Sequence, residues 1–566
     1  MRAVRSLFGD SCRRILAVVR ATAVCVAVAL ASAAAPVFAQ EQKFDILRFE
    51  IRGNTLLPPE QADAVVAPYV GRSRDYGDVQ KALEALEGAF RARGYGTVAV
   101  HVPEQEITSG VVRLDVKESV LGSISISGNQ FFDEANVRAS LANLKEGAAP
   151  NLRKISENVQ LVNENPAKQV EVTLAAGEQD GKVNAKVAVT DENPQHVFVT
   201  LDNSGTVATG RHRLGLAYQN ANLFGNDEVM TLAYTTSPDV WLDHPDGVRV
   251  DVYSLAFRKP FYGIGDSLDV IYANSSINVP SSVLALGSPF GIIGKGEVLA
   301  LRWNHLFARR GEYSSRLVVG LDSKYVNSTC DPDQRGVVAT CTPYTLRPLS
   351  ATYTGQWQRL REQGNYYVGL AWNAFPTGSI YAGAPGTAAA GKNDRYSFIA
   401  GRPVSDDFVV FRYGGSYARL VEGWMLRATV AGQDAQSGLP SVEQLGLAGA
   451  SAVRGFDERI VATDSGHVVN LEAYTPNLAP GLGVPGVLHG VLFYDFARGR
   501  NVGAQGTPFD ETGIASAGVG VRYGLQKDLA VSIDVAEVLD RGPTSGTTEI
   551  GRRNSWGGHF RVTYRF

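Results

Sequence analysis

The apolar positions of this chain change their period as it proceeds. Between residues 44 and 191, short period-2 runs alternate with stretches of period 3.6. From residue 195 to the C-terminus period 2 prevails. In the first region, Phe44-Asp45-Ile46-Leu47-Arg48-Phe49-Glu50-Ile51 reads as a strand that turns at Gly53-Asn54. Val79, Ala82, Leu83, Leu86 and Phe90 then fall on one helical face, with Lys81, Glu84, Glu87 and Arg91 on the other, and Gly94 stops the helix. Thr97 to Val102 and Val111 to Val116 read as a hairpin. The same plan recurs about 76 residues on. Ile124-Ser125-Ile126-Ser127 alternates and Gly128-Asn129 turns. Asp133 is placed to cap a short helix, and Ile155, Val159 and Val162 mark a second one that ends before Pro166. Val170 to Leu174 and Val183 to Val189 close the unit. The expectation is two βααββ modules, over 44–118 and 120–191.

From residue 195 the alternation predicts sixteen strands: 196–204, 211–220, 226–237, 248–258, 264–277, 295–308, 311–327, 345–358, 362–374, 407–418, 422–434, 465–477, 487–498, 512–524, 527–539 and 555–566. In the last of these, Phe560, Val562, Tyr564 and Phe566 share one face, and His559, Arg561, Thr563 and Arg565 share the other. A polar second face along so many long strands fits a membrane β-barrel with a wet lumen better than a sandwich. Connections after odd-numbered strands include long ones (278–294, 328–344, 375–406, 435–464, 540–554), whereas those after even-numbered strands include very short ones (221–225, 309–310, 359–361, 419–421, 525–526). Outer-membrane barrels carry long loops outside and short turns in the periplasm. The two modules precede the first strand, so they belong in the periplasm.

Composition supports this division. Residues 40–194 hold 8 aromatics, and 195–566 hold 41, including all six tryptophans. Residues 1–39 read as an export signal. Arg2, Arg5, Arg13 and Arg14 lead an Ala/Val-rich stretch, and Val37-Phe38-Ala39 forms a small-x-small cleavage site. Removing this segment leaves 49 basic and 56 acidic side chains, a net of −7, which does not suit nucleic-acid binding. Two cysteines remain, Cys330 and Cys341. An even count in an exported chain suggests one disulfide across an extracellular loop, with two free thiols as the alternative. None of the eight histidines stands at metal-ligand spacing, and no cofactor or metal is expected. No Walker A, H-E-x-x-H or G-x-S-x-G motif is present, and Gly518-x-Gly520 is a strand of small residues, so no enzymatic activity is expected.

Three local motifs stand out against this frame. Val453-Arg454-Gly455-Phe456 lies in the 435–464 loop, Phe493-Tyr494-Asp495 lies on strand thirteen, and the chain ends in Phe566 with Tyr564 at alternate spacing. With the paired modules, and with Pro103-Glu104-Gln105, Asn163-Glu164-Asn165-Pro166 and Leu201-Asp202-Asn203-Ser204-Gly205, the chain resembles the TpsB transporters of two-partner secretion. This is the ShlB/FhaC/HecB type within the outer-membrane protein 85 superfamily, and the two modules resemble POTRA domains.

The resemblance implies a sixteen-stranded antiparallel barrel over 195–566 in a Gram-negative outer membrane, behind two periplasmic α+β POTRA domains. It implies secretion of a large unfolded exoprotein that carries an N-terminal secretion domain, of adhesin, haemolysin or haem-scavenging type. It also implies that the 435–464 loop folds into the lumen, where Arg454 meets Asp495 beside Phe493, and that Tyr564 and Phe566 are read by the barrel-assembly machinery. A barrel-assembly factor of the same superfamily and a passive porin are the competing readings. Some members place a plug helix before the first POTRA domain. Here only Gln40 to Lys43 separate the cleavage site from the first strand, so none is expected.

Overall fold

The computed structural model describes residues 43–566 except 108, 207–208, 240–249, 277–280, 286–287, 293–294, 328–343, 376–401, 506–509 and 543–552. The expected export signal and both Cys330 and Cys341 lie outside the described residues.

The first module, residues 43–92 and 98–118, is a compact unit. It runs β1 (Phe44–Ile46), β2 (Arg48–Arg52), α1 (Pro59–Val66), β3 (Gly71–Arg74), α2 (Tyr76–Ala92), β4 (Val98–His101) and β5 (Val111–Glu118). The sheet order is β2-β5-β4, with β2 and β5 parallel. Val79, Ala82, Leu86 and Phe90 of α2 are buried, as period 3.6 requires, while Leu83 is only partly covered. One departure from expectation is local. The first predicted strand is split at Leu47, whose side chain is 68% exposed, and its leading half pairs instead with β3, which periodicity did not reveal.

The second module repeats the plan as β6 (Val120–Ser127), α3 (Glu134–Ser140), α4 (Leu152–Val162), β7 (Lys168–Ala176) and β8 (Lys182–Asp191), in sheet order β6-β8-β7. The repeat extends to details of the turns. Asn54 and Asn129 donate to Leu57 O and Phe132 O, each at 2.9 Å. A carboxylate on the last strand then collects the turn's free amides. Glu118 accepts from Thr55 N at 2.7 Å, and Asp191 accepts from Phe131 N at 2.8 Å. Asp133 caps α3 by accepting from Asn136 N at 2.7 Å.

The barrel strands are β9 (Gln195–Asp202), β10 (Arg213–Asn220), β11 (Val229–Thr236), β12 (Asp251–Phe261), β13 (Asp266–Ser275), β16 (Gly296–Arg310), β17 (Tyr313–Val326), β18 (Tyr344–Leu346) continued as β19 (Pro348–Gln358), β20 (Glu362–Asn373), β21 (Val409–Val421), β22 (Trp424–Ala435), β25 (Ser465–Tyr474), β26 (Val487–Arg500), β27 (Glu511–Leu525), β28 (Leu529–Asp540) and β29 (Trp556–Arg565). Counting β18 and β19 as one interrupted strand, sixteen antiparallel strands close into a barrel. A hairpin of β14 (Ser281–Ala285) and β15 (Ser288–Ile292) stands in a stretch expected to be loop, and the pair β23 (Leu445–Gly446) and β24 (Ala462–Thr463) braces the long late loop.

Alternation sorts the wall as period 2 demands. Leu299, Leu301 and Trp303 point outward and are well exposed, while Ala300 between them is fully buried. The outward aromatics Trp303, Phe307, Tyr417 and Trp424 are each about two-fifths exposed, as lipid-facing side chains are in a structure without lipid. Closure joins the first strand to the last. Arg561 to Arg565 pair with Asp202 to Phe198, five positions, against fourteen between β26 and β27. Phe566 N donates to Val197 O at 2.9 Å, and its ring meets Tyr564 edge-on at 4.6 Å.

The second module and the barrel form one compact unit. Val137, Ile155 and Val162 share a core with Ala221, Val229, Tyr262 and Leu306 from the short-turn rim.

Candidate functional site

The 436–464 loop packs against the inner wall of the barrel. Leu447, Ala448, Ala452, Val453, Phe456 and Val461 pack against Val468, Ala497, Ile514 and Val538, which face inward from β25 to β28. Burying this apolar surface seats the loop. The seating is tight at its tip. Gly455 has φ +93°, and a Cβ there would lie 3.1 Å from that of Ala536. A Cβ on Gly557 of β29 would lie 2.3 Å from Gly455 O. Only paired glycines allow backbone to lie on backbone this closely. Gly455 N also donates to His559 Nε2 at 3.0 Å.

Arg454 is the charged centre of this contact. Its Nε and Nη2 donate to the two carboxylate oxygens of Asp495, both at 2.7 Å. Nη1 donates to Glu472 at 2.9 Å and lies 3.6 Å from Asp534. The guanidinium carbon sits 3.6 Å from the centre of the Phe493 ring. Arg454 is 4% exposed and Asp495 is 0% exposed. A planar fork matched to a carboxylate is the arrangement in which a buried guanidinium is best satisfied. Burial works against the charge of Arg454, but Asp495, with Glu472 and Asp534 behind it, outweighs burial and holds the guanidinium protonated more firmly than in water. Asn470 completes the shell, donating to Asp495 at 2.8 Å and to Ala452 O at 2.7 Å.

Two further ionic anchors hold the loop ends. Glu443 is buried and receives Lys324 and Arg412, both at 2.7 Å. Asp464 receives Arg402 at 2.7 Å and the backbone amides of Leu439 and Val502 at 3.1 and 2.9 Å. Sequence reasoning singled out Arg454, Phe493 and Asp495, and the structure brings them together. It did not single out Glu472, Asn470, Asp534, Glu443 or Asp464. Inward parity was the available signal, and it marks many lumen residues equally.

The junction between the second module and the barrel is also built of buried polar groups. Lys168, fully buried, lies 2.7 Å from Asp227 and donates to Asn136 at 2.7 Å, with Tyr262 Oη donating to Asp227 at 2.6 Å. The Asn163-Glu164-Asn165-Pro166 stretch lies here. Asn165 donates to Ala221 O at 2.7 Å, while Glu164 pairs with Arg316 and, at 3.4 Å, with Arg258. Burial pushes the Glu164 carboxyl up, against the pull of both arginines. Asn158 donates to Tyr262 O at 2.6 Å.

A family model described as haemolysin secretion/activation protein ShlB/FhaC/HecB matches residues 181–523. The chain belongs to this family. A second model, the ShlB-type POTRA domain, matches residues 44–119. Among curated relatives, the heme/hemopexin transporter protein HuxB of Haemophilus influenzae is 22% identical over 518 residues, covering 89% of this chain and 85% of HuxB. The outer membrane transporter CdiB of Dickeya dadantii is 24% identical over 425 residues, covering 74% of this chain and 70% of CdiB. The solved structure of CdiB from Escherichia coli superposes with a TM-score of 0.69 at 18% identity, covering 94% of this chain and 92% of that one, and so shares the fold. The ShlB-family chain is thus an outer-membrane transporter of two-partner secretion, with its POTRA domains in the periplasm. The short-turn rim is accordingly the periplasmic one.

Proposed function

We propose that the chain secretes one large exoprotein, of adhesin, haemolysin or haem-scavenging type, and that the Arg454 loop keeps the lumen closed until that partner engages. The exoprotein arrives unfolded in the periplasm and is captured by its N-terminal secretion domain. Strand addition to an exposed sheet edge of a POTRA module is the mode of capture that such folds offer. The chain then passes through the barrel and folds outside, which makes export irreversible without a nucleotide. The observation that carries the gating role is the fork of Arg454 on Asp495, made by a loop whose apolar residues pack on the inner wall. Tyr564 and Phe566, exposed on the outer face of the last strand, are assigned to recognition by the barrel-assembly machinery.

The test follows export of the cognate exoprotein in cells with and without this chain, alongside the levels of other outer-membrane proteins. Loss of export alone supports secretion. Depletion of other barrels as well makes the chain an assembly factor.

A further inference from the structure

The mouth of the barrel on its periplasmic side is not covered evenly. The second module is clamped to the β10–β13 side of the rim through Asn165, Asn158 and Lys168. On the other side, a cleft of about 540 Å³ opens between helix α4 and the periplasmic ends of β16 to β22. Its lining has an unusual chemistry. Six of the residues around it are side-chain amides: Gln160, Asn163, Gln356, Gln358, Gln363 and Asn365. Asn163 is committed to Val170, accepting from its amide at 2.7 Å and donating to its carbonyl at 3.1 Å. The other five make no side-chain hydrogen bond to the described residues, and Gln160 Oε1 is buried without a partner.

We infer that this cleft is where the exported polypeptide passes from the POTRA domains into the barrel, gripped through its backbone by the amide side chains. The inference rests on the secretion reading above and adds the place and the chemistry. A peptide unit carries one donor and one acceptor, and an amide side chain offers the same pair. Such a wall satisfies an extended backbone whatever side chains it bears, which suits a channel that must pass every segment of one long chain. The lining carries two carboxylates, Glu164 and Glu312, and two guanidiniums, Arg309 and Arg427, so it presents no ring of one sign. Glu164 is neutralised by Arg316 and Arg258, and Glu312 pairs with Arg359 at 3.1 Å. Arg427 donates to Ser416 at 3.0 Å, and Arg309 turns back onto Gly311 O at 2.9 Å. A pore selective for ions would instead present a ring of one sign. The width of the cleft is set in advance, because α4 is held to the barrel rim by Asn158 and by the hydrogen bonds that follow it at Asn165.

The test uses the full-length chain in cells that export its exoprotein, with the exoprotein stalled in transit by a folded domain fused to its C-terminus. A photo-crosslinking amino acid is placed at position 160 or 363 in the cleft, at 350 in the lumen, and at the lipid-facing position 370. Crosslinks to the exoprotein at 160, 363 and 350, and none at 370, are expected. Crosslinks at 350 with silence at both 160 and 363 would overturn the cleft and leave the secretion reading standing. Export that does not depend on this chain at all removes both. A second variant, Gln356→Glu with Gln363→Glu, keeps size and adds two like charges. Export should slow and become dependent on ionic strength while the barrel keeps its heat-modifiable mobility on gels. Unchanged export in that variant would also count against the cleft.

Discussion

Replacing Arg454 with alanine removes the fork on Asp495, the bond to Glu472 and the stack on Phe493 in one step. What remains is an imbalance. Among the described residues, the guanidinium left in ion-pair contact with Asp495, Glu472 or Asp534 is Arg522, which is 2.8 Å from Asp534 and so serves only one of the three carboxylates. Breaking a buried pair by deleting one partner costs about 3–5 kcal/mol. Asp495 retains Asn470 at 2.8 Å, and the backbone amide of residue 454 at 3.2 Å, so the lower end applies. A loss of ~3 kcal/mol shifts the balance between the seated and released loop tip by roughly a hundredfold. The barrel itself should persist, since its strand ladders do not pass through Arg454. The assay is single-channel conductance of purified protein in planar bilayers, paired with protease cleavage within 436–464. Arg454→Ala should open more often and be cut faster at an unchanged yield of folded barrel, and export should fall. Arg454→Lys keeps charge without the fork and should lie between the two. Combining Arg454→Ala with Asp495→Ala should cost much less than the sum of the singles. Native conductance and cleavage in Arg454→Ala, together with an additive double variant, would refute the reasoning.

Three other outcomes are expected. Gly557→Val should unseat the loop tip without touching any charge, because a Cβ at that position already collides with Gly455 O at 2.3 Å, and the same cleavage assay reads it. Lys168→Met should destabilise the second module's attachment by about 3 kcal/mol, the lower end for a broken buried pair, because Asp227 loses its cation but keeps Tyr262 and Asn136 as donors, and the double variant with Asp227→Asn should recover part of this in thermal unfolding. Acid should release the Glu443 anchor late. Burial would raise its carboxyl, but Lys324 and Arg412 outweigh burial and hold it below its ordinary value. Its contribution is therefore complete above the ordinary carboxylate range and is lost as pH falls through the lower folded value. Protection of 441–443 from exchange should thus survive at about pH 5 and fail only in stronger acid.

Legibility varied with the physics that determines each feature. The sixteen strands were readable because lipid on one side and water on the other impose alternation directly, as with Phe560, Val562 and Tyr564 against His559, Arg561 and Thr563. The βααββ repeat was readable because Val79 to Phe90 carries one unbroken helical stripe. Strand β3 was not readable, since four residues with Ser73 at φ +56° carry too few positions for any period. The partners of Arg454 were only half legible. Parity places Glu472 and Asp534 in the lumen, but which lumen carboxylates meet a given guanidinium depends on how strands far apart in sequence are registered. Lys168 reads as an ordinary solvated strand residue, and its burial is decided by a turn 59 residues later.

The seam between β9 and β29 sets a clock on how the protein is made. The first strand of the barrel has its other hydrogen-bonding edge filled only by the last strand, some 360 residues further along the chain. At ~5–20 residues per second, synthesis alone separates the two by roughly 20–70 s. After export, any sheet assembled before its last strand arrives has two open edges, each able to pair with another strand. The final residues thus do more than complete a wall. They end a period of vulnerability that the cell must cover by other means, and a chain shortened by its last strand never leaves that period.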